Sequence, residues 1–183
     1  MTKIAGIVIA FNPDFNKLIL NIESFLDHIE QLFIVFNSAV DPSEIRRLHS
    51  VNEKIQLIEN EENIGIAKAI NLTAQHALDQ GYDWLLTMDQ DSRFQSGDFF
   101  VAFDKSNKIN VAIFSPNSNL SSGINTENTF EDEEVLHVVT SGNLLNLEIW
   151  RTLGGFEEKL FIDEVDNDYC LKAVSVGYKI INF

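Results

Sequence analysis

The sequence predicts an α/β fold in which a mostly parallel sheet is flanked by helices. Short apolar runs without polar alternation, typical of strands buried on both faces, alternate with segments whose apolar residues recur at helical spacing. This alternation favours parallel strands joined by right-handed helical crossovers. The chain has 183 residues, of which 45% are hydrophobic, and is therefore long enough to build one domain around a sizeable core.

Four apolar runs in the first half mark strands of this sheet. The predicted strands are residues 4–11, 32–36, 55–58 and the run that begins at Trp84. The first run has only Lys3 ahead of it and ends in Asn-Pro-Asp, so a strand explains it better than a signal peptide does.

Helices fill the segments between these strands. Apolar residues recur at helical spacing from 15 to 29, and Asp41 can cap a second helix with Pro42 at its first position. A third helix ends near Gly81, and its buried side consists of Ile66, Ile70, Ala74, Ala77 and Leu78.

Beyond Ser92 the pattern is less regular. We expect strands at 111–114, 135–139 and 178–183, and short helices at 99–103 and from about 148 to 154. The polar stretch 116–134 is predicted to be a mobile loop over the site. A last helix, closed by Gly177, has Asp163 as its N-cap, Asp166 three residues later, and an apolar face of Ile162, Val165, Tyr169 and Ala173.

Charge and cysteine content exclude several classes of protein. A formal net charge of −15 argues against binding to nucleic acid or to an anionic membrane surface, since both require a basic face. Cys170 is the only cysteine, so no internal disulfide can form and a reducing compartment is expected. No apolar stretch is long enough to span a bilayer.

Two carboxylates stand where the fourth strand is predicted to end. Asp89 and Asp91 directly follow the apolar residues of this strand, and ligands of open α/β sheets bind beyond the carboxyl ends of the strands. The pair offers hard oxygen ligands for Mg²⁺ or Mn²⁺, which normally arrive with phosphates. Taken alone, the pair is explained better as two acids that open a solvated loop.

A glycine precedes the third helix at the same predicted edge. Gly65 lets a ligand approach the backbone closely, and the helix dipole favours an anion there. An ordinary strand-to-helix turn is the simpler explanation of Gly65 when it is considered alone.

Five stretches, considered together, resemble the inverting family-2 glycosyltransferases, in particular the bacterial rhamnosyltransferase-like members. Each stretch alone is a loose match, but the five follow the order of the family and cover nearly the whole chain. They are residues 8–12, 63–71, 88–92, 141–143 and 154–171. The resemblance implies one GT-A domain over residues 1–183, in which residues 1–92 bind the nucleotide sugar and residues 93–183 form the acceptor side.

The resemblance also implies roles for individual residues. Asp166 is implied as the catalytic base, and Asp89 and Asp91 as the ligands of Mg²⁺ or Mn²⁺. The implied acceptor side consists of Ser141, Gly142, Asn143 and Asp163. The implied contacts to the nucleotide sugar are Ala10, Phe11, Asn12, Asn37, Asn63, Gly65, Lys68, Asn71, Asp89 and Gln90.

The implied reaction moves a sugar from a nucleotide-diphosphate donor to a hydroxyl group of a glycan or lipid-linked acceptor, with inversion. One candidate donor is dTDP-rhamnose, and the implied process is bacterial cell-wall polysaccharide biosynthesis in the cytoplasm or at the inner face of the membrane. The residues suit this chemistry. A metal at Asp89 or Asp91 can stabilise the leaving diphosphate, and a carboxylate on the opposite face can take the acceptor's proton.

Two features depart from the family pattern. Relatives usually place an aspartate at the end of strand two, where it contacts the nucleotide base, whereas this chain has Phe36 before Asn37 and Ser38. The choice of nucleotide is therefore open. The chain also ends at Phe183 inside a predicted strand, so we expect further helices beyond it that could carry a membrane-binding segment.

Two alternative functions remain at this point. Phosphatases of the haloacid-dehalogenase type also have an apolar strand that ends in Asp-x-Asp, where the first aspartate is the nucleophile. Their motif normally sits on the first strand, whereas three predicted strands precede Asp89 here. The second alternative is a domain that binds nucleotide sugars without catalysis, as the missing aspartate at Phe36 would suggest.

Overall fold

A single mixed sheet runs through the described part of the molecule. The computed structural model describes residues 2–116 and 133–183. Its strands, in chain order, are β1 (Ile4–Ala10), β2 (Gln31–Phe36), β3 (Ile55–Glu59), β4 (Trp84–Asp89), β5 (Val111–Ser115), β6 (Glu133–Val135), β7 (Asn143–Asn146) and β8 (Lys179–Asn182). Their spatial order is β3-β2-β1-β4-β7-β5-β8-β6. The α/β fold predicted from the sequence is therefore confirmed.

The direction of β7 determines where the polar residues of the second half lie. Strands β3, β2, β1 and β4 are mutually parallel, whereas β7 is antiparallel to both of its neighbours, β4 and β5. Thr87 near the end of β4 pairs with Asn143 at the start of β7. The start of β7 consequently lies at the same edge of the sheet as the carboxyl end of β4, which carries Asp89.

Helices cover both faces of the sheet. They are α1 (Phe15–Glu23), α2 (Pro42–Val51), α3 (Ile66–Asp79), α4 (Asp98–Lys105), α5 (Leu147–Leu153) and α6 (Val165–Ser175). Helices α1, α2 and α4 pack with Val8, Ile34 and Leu86 on one face, whereas α3, α5 and α6 pack with the neighbouring strand residues on the other. Strands buried on both faces account for the unbroken apolar runs in the sequence. Within the described ranges, no helix is long and apolar enough to cross a membrane.

Two predicted elements have different boundaries. The first helix ends at Glu23, and a short 3₁₀ turn at Leu26–His28 follows it. The strand predicted at 135–139 is wrong, because the observed strand β6 covers Glu133–Val135. Pairing with β8 and an ion pair of 3.0 Å between Glu134 and Lys179 hold these residues at the sheet edge. The predicted loop at 116–134 lies outside the described residues except at its two ends.

Helix α6 begins later than the sequence predicts. Asp163 does not cap it, because the N-cap position is taken by Glu164, whose backbone has a left-handed φ of 63°. Ile162, predicted on the apolar face, is 58% exposed, whereas Val165 and Tyr169 are buried as predicted. A tight turn at Phe161 causes this shift, since it directs the chain away from a helical path before Val165.

Candidate active site

The polar residues of the predicted site lie at the carboxyl edge of the parallel strands. Asp89 is the last residue of β4. The segment before β7 lies beside it: the hydroxyl oxygen of Ser141 accepts the backbone N–H of Asp89 at 3.0 Å, and the N–H of Gly142 donates to the carbonyl of Thr87 at 2.7 Å. This edge therefore brings together two of the predicted motifs, Asp89–Asp91 and Ser141–Asn143, that are far apart in the sequence.

The carboxyl group of Asp89 is in an electrostatically unfavourable position. Asp89 remains exposed as a residue, but neighbouring protein removes water from its carboxyl group. This desolvation, followed by the negative charge of Asp91, raises the pKa of Asp89; a hydrogen bond with Ser141 works in the opposite direction, and the charge of Asp166 raises the pKa further. The charges of Asp91 and Asp166 thus both reach the carboxyl group of Asp89.

The donor atoms at this edge fit a divalent cation that binds together with phosphate. Within residues 2–116 and 133–183, no cluster of three or more histidine, cysteine, aspartate or glutamate side chains could hold a metal ion. Asp89 and Asp91 form only a pair. Mg²⁺ commonly binds through one or two carboxylates plus phosphate oxygens of the substrate, so a pair is sufficient when the ligand supplies the rest. A cation there would also offset the charge of Asp91, which adds to desolvation in raising the pKa of Asp89.

The loops after β1 and β4 are joined by a reciprocal pair of hydrogen bonds. The N–H of Phe11 donates to Oε1 of Gln90 at 2.9 Å, and Nε2 of Gln90 donates to the Phe11 carbonyl at 3.3 Å. Asn12 lies beside this pair and donates its N–H to the Ser38 hydroxyl at 2.9 Å. The ring of Phe11 is 50% exposed at this rim. Gln90 therefore holds the loop after β1 against the loop after β4, and Phe11 presents an exposed apolar side chain there.

Asn37 is a buried residue that joins the ends of neighbouring strands. It is only 3% exposed. Its carboxamide donates to the carbonyl of Gly65 at 3.3 Å and accepts from Nδ2 of Asn60 at 2.9 Å, while its N–H donates to the Ala10 carbonyl at 2.8 Å. These bonds use the polar atoms of Asn37 and the carbonyl of the buried Ala10 to join three strand ends. Asn37 and Ala10 therefore hold these strand ends together, and their predicted contacts to the nucleotide sugar remain predictions.

The start of α3 is held by a strained turn. Phe161 has φ 57° and ψ −63°, and the N–H of Ile162 donates to the carbonyl of Leu160 at 2.6 Å, which is the rarer and strained form of γ-turn. The Phe161 carbonyl accepts the N–H of Ile66 at 2.7 Å. The first N–H of α3 therefore has a protein partner. The turn was not detectable in the sequence, because Phe is a residue that rarely adopts positive φ.

Asn63 and Lys68, both predicted to contact the nucleotide sugar, differ in their surroundings. Oδ1 of Asn63 accepts the Gly65 N–H at 3.0 Å, which shapes the turn before α3. Lys68 lies exposed on the first turn of α3 and is available to a negatively charged ligand.

The side chain of Asn71 makes several hydrogen bonds within the protein. Its Nδ2 donates to the carbonyl of Phe156 at 2.9 Å, and its Oδ1 accepts from Nε1 of Trp150 at 3.1 Å and from the N–H of Phe156 at 2.9 Å. Gly155 lies so close that a Cβ atom there would meet Asn71 Oδ1 at 2.7 Å. The carboxamide joins α3 to the loop that leads to α6, and the predicted contact of Asn71 to the nucleotide sugar remains a prediction.

Asp166 is the second residue of α6 and lines a small cavity together with Thr87 and Asn143. One of its carboxylate oxygens accepts the N–H of Asn167 at 2.9 Å, and its charge reaches both Asp89 and Cys170. Asp163 precedes the helix and is exposed. Burial raises the pKa of the Cys170 thiol to about 11. The thiol therefore stays protonated and is a poor nucleophile, so it does not compete with Asp166 as the predicted base.

Replacing Gly65 with alanine should destabilise the fold more than the same change at Gly81. Both glycines have a positive φ, 81° and 82°, so either alanine is expected to cost about 1–2 kcal/mol. A Cβ at Gly65 would also meet the ring and the carbonyl of Phe161 at 2.7 Å, whereas nothing lies within 4 Å at Gly81. This overlap should add about 1–3 kcal/mol to the loss. Urea unfolding gives the free energy of unfolding of the two variants. Equal losses would mean that the turn at Phe161 can move aside without a cost in stability.

Comparison with known proteins gives consistent similarities. The family model described as "Glycosyl transferase family 2" matches residues 7–170. The dTDP-rhamnosyl transferase RfbF of Shigella flexneri is 23% identical over 197 aligned residues, which cover 96% of this chain and 64% of that protein. The chain thus spans just under two thirds of the length of this curated relative.

Solved structures give similarities of the same kind. The crystal structure of GalNAc-T7 with UDP, GalNAc and Mn²⁺ superposes with a TM-score of 0.77 at 10% identity, covering all of this chain and 42% of that one. The structure of S. aureus TarS 1-349 in complex with UDP-GlcNAc superposes with a TM-score of 0.70 at 16% identity, covering all of this chain and 56% of that one. At these sequence identities, the superpositions show a similarity of fold alone.

Proposed function

Because this chain belongs to glycosyl transferase family 2, with a family match over residues 7–170 and the GT-A fold of its structural neighbours, we propose that it is an inverting glycosyltransferase. It transfers a sugar from a nucleoside-diphosphate donor to a hydroxyl group of a glycan or lipid-linked acceptor. The observation that carries this proposal is the sheet edge at the end of β4, where Ser141 lies against Asp89 and the charges of Asp91 and Asp166 reach the Asp89 carboxyl group. A metal-diphosphate group and a base on opposite sides of a sugar require such an arrangement.

The proposed donor is a deoxysugar nucleotide, with dTDP-rhamnose as the first candidate. The similarity to dTDP-rhamnosyl transferase RfbF supports this choice. On the donor side, the exposed ring of Phe11 offers a surface on which a base can stack. Gln90 fixes the backbone of Phe11, and Asn37 ties the strand ends beneath it. The exposed ammonium group of Lys68 lies near enough to the turn at Gly65 to attract the diphosphate.

Asp89 and Asp91 would hold the Mg²⁺ or Mn²⁺ ion of this reaction. When bound, the ion supplies positive charge that stabilises the leaving nucleoside diphosphate. The chain contributes two carboxylates and fixes one of them, since Ser141 holds the backbone of Asp89 and hydrogen-bonds to its side chain. Desolvation and the charge of Asp91 raise the pKa of Asp89, and a bound cation would offset that charge.

Asp166 takes the proton of the attacking hydroxyl group. It starts a helix on the acceptor side, so an acceptor between Ser141 and Asp166 would attack the face of the sugar opposite to the diphosphate. Attack from that face inverts the anomeric carbon. A positioned carboxylate is a sufficient base, because an acceptor hydroxyl loses its proton as the new bond forms. We assign Ser141, Asn143 and the exposed Asp163 to this side.

The two alternatives have different outcomes. A phosphatase of the haloacid-dehalogenase type is rejected, because the chain belongs to another family and its Asp-x-Asp follows β4 rather than the first strand. A domain that binds nucleotide sugars without catalysis has the same donor site, and only turnover distinguishes it from the proposed enzyme.

A panel of nucleotide sugars, each tested with and without Mn²⁺, should identify the donor by thermal stabilisation. A donor present at about 100 times its Kd should add about 2.7 kcal/mol to the free energy of unfolding. We expect dTDP-rhamnose with Mn²⁺ to raise the melting temperature and dTDP-glucose, matched in its nucleotide, to raise it less. Release of dTDP from the stabilising donor in the presence of acceptor then tests catalysis. A panel without any stabilising sugar nucleotide would contradict the proposed function.

A further inference from the structure

The carboxamide of Asn71 uses its whole hydrogen-bonding capacity within the protein. A carboxamide can donate two hydrogen bonds and accept two. Nδ2 of Asn71 donates to the carbonyl of Phe156 at 2.9 Å and to Oε1 of Glu158 at 3.1 Å. Oδ1 accepts the N–H of Phe156 at 2.9 Å and Nε1 of Trp150 at 3.1 Å. One side chain of α3 therefore holds both backbone polar groups of Phe156.

Phe156 in turn contacts the helix that carries Asp166. Its ring stacks on the ring of Tyr169, with the centroids 4.4 Å apart and the planes at 27°. Tyr169 is fully buried and lies three residues after Asp166, on the same side of α6. Phe156 and Asp166 also line the same small cavity. Nζ of Lys172 donates to the Gly155 carbonyl at 3.3 Å, so α6 is joined to this segment at two places.

We infer that Asn71 is a positioning residue for Asp166 and acts through Phe156. This role rests on the function proposed above, in which Asp166 is the base. Asn71 fixes the backbone of Phe156, and the ring of Phe156 fixes the first turns of α6 through Tyr169. Displacing a catalytic group by about an ångström can lower a rate about 10²-fold. The position of the Phe156 backbone therefore bears on turnover, although this role requires no contact between Asn71 and the substrate.

The positioning role and the predicted contact of Asn71 to the nucleotide sugar differ in their kinetic effects. Replacing a residue that binds the donor weakens donor affinity. Replacing a residue that positions Asp166 lowers turnover and leaves donor affinity unchanged. The four hydrogen bonds favour positioning, because a carboxamide that uses both hydrogens and both acceptor positions within the protein has none left for a sugar.

Two variants break the link between Asn71 and α6 at different steps. Asn71→Leu removes all four hydrogen bonds while nearly keeping the size of the side chain. Phe156→Leu keeps the backbone bonds to Asn71 but removes the ring that stacks on Tyr169. If Asn71→Leu fails to fold, Asn71→Asp replaces it, because the carboxylate still accepts two bonds but cannot donate to the Phe156 carbonyl.

Leu48→Ala is the control for stability. Leu48 is fully buried on α2 and belongs to the core on the other face of the sheet. Its truncation leaves a cavity there and destabilises the fold without touching Asn71, Phe156 or α6. The control therefore shows what a loss of stability alone does to turnover.

The first measurement compares crystal structures and is independent of turnover. In Asn71→Leu we expect the Phe156 backbone and the Asp166 carboxylate to be displaced by about an ångström, the scale that matters for a catalytic group, while Asp89 keeps its position. A wild-type position of Asp166 in this variant would overturn the inference whatever the enzyme's activity. A displaced Asp166 together with full turnover in Asp166→Asn would support the structural link and contradict the proposed base.

The second measurement separates positioning from donor binding and from stability. Asn71→Leu and Phe156→Leu should each lower kcat about 10- to 100-fold and change the donor Kd by less than about twofold. The double variant should lose little more than the larger single loss, because both changes break one link. Leu48→Ala should lower the melting temperature but keep kcat. A weaker donor Kd with unchanged kcat in Asn71→Leu would overturn the inference and make Asn71 a donor contact. Loss of kcat in proportion to melting temperature across all these variants would also overturn it.

Discussion

Replacing Asp166 with asparagine is expected to lower turnover about 10²–10⁴-fold, the usual contribution of a positioned base. The amide cannot take the proton of the acceptor hydroxyl, but its size and shape are preserved. Donor affinity should remain unchanged, because the proposed role of Asp166 is toward the acceptor and not toward the donor. The measurements are the transfer rate at saturating donor and the donor Kd from calorimetry.

Asp168→Asn is the matched control for Asp166→Asn. Both aspartates lie in the first turn of α6, where a negative charge complements the helix dipole, so each change should cost about 0.3–1 kcal/mol of stability. Only Asp166→Asn should also remove turnover. Asp163→Asn tests the neighbouring exposed acid, and a loss of rate confined to that variant would move the base to Asp163. Wild-type rates in all three variants would mean that the acids at the start of α6 have no role in catalysis.

The first half of the fold was predictable because its signals are local. The apolar runs of β1, β2 and β4 mark buried parallel strands without reference to the rest of the chain. Asp41 and Pro42 mark the start of α2, where Asp41 caps the helix as predicted. Once these strands are parallel, their polar ends must meet at one edge. The position of Asp89 follows from that rule.

The second half depends on contacts between distant parts of the sequence. Strand β7 enters the sheet between β4 and β5 in the antiparallel direction, and no local pattern indicates that direction. The partners of Asn71, which are Trp150 and Phe156, lie about 80 residues away in the sequence. The turn at Phe161 is held by α3, although its own residues favour other conformations. Tertiary contacts outweighed local preference there, which is why Asp163 was wrongly predicted to cap α6.

Removing either carboxylate after β4 is expected to weaken binding of the nucleoside diphosphate about 10- to 100-fold, or roughly 1.4–2.8 kcal/mol. Two carboxylates and the diphosphate would share one Mg²⁺ or Mn²⁺ ion, so loss of Asp89 or Asp91 leaves the ion with too few ligands from the protein. Calorimetry of Asp89→Asn and Asp91→Ala with the diphosphate and Mn²⁺ measures this effect. With excess chelator, the wild type should bind as weakly as the variants do.

In the metal-free protein, Asp89→Asn should increase the stability of the fold. Its folded-state pKa is raised, so its contribution to stability is greatest below the unfolded pKa and is lost as pH rises through the folded value. At pH 7 without metal, Asp89→Asn should therefore melt at a higher temperature than the wild type, and this advantage should disappear in acid. Asp104→Asn, which removes an exposed charge on α4, controls for net charge. Diphosphate affinity that is equal with and without metal would refute the metal site, even if the stability effect were observed.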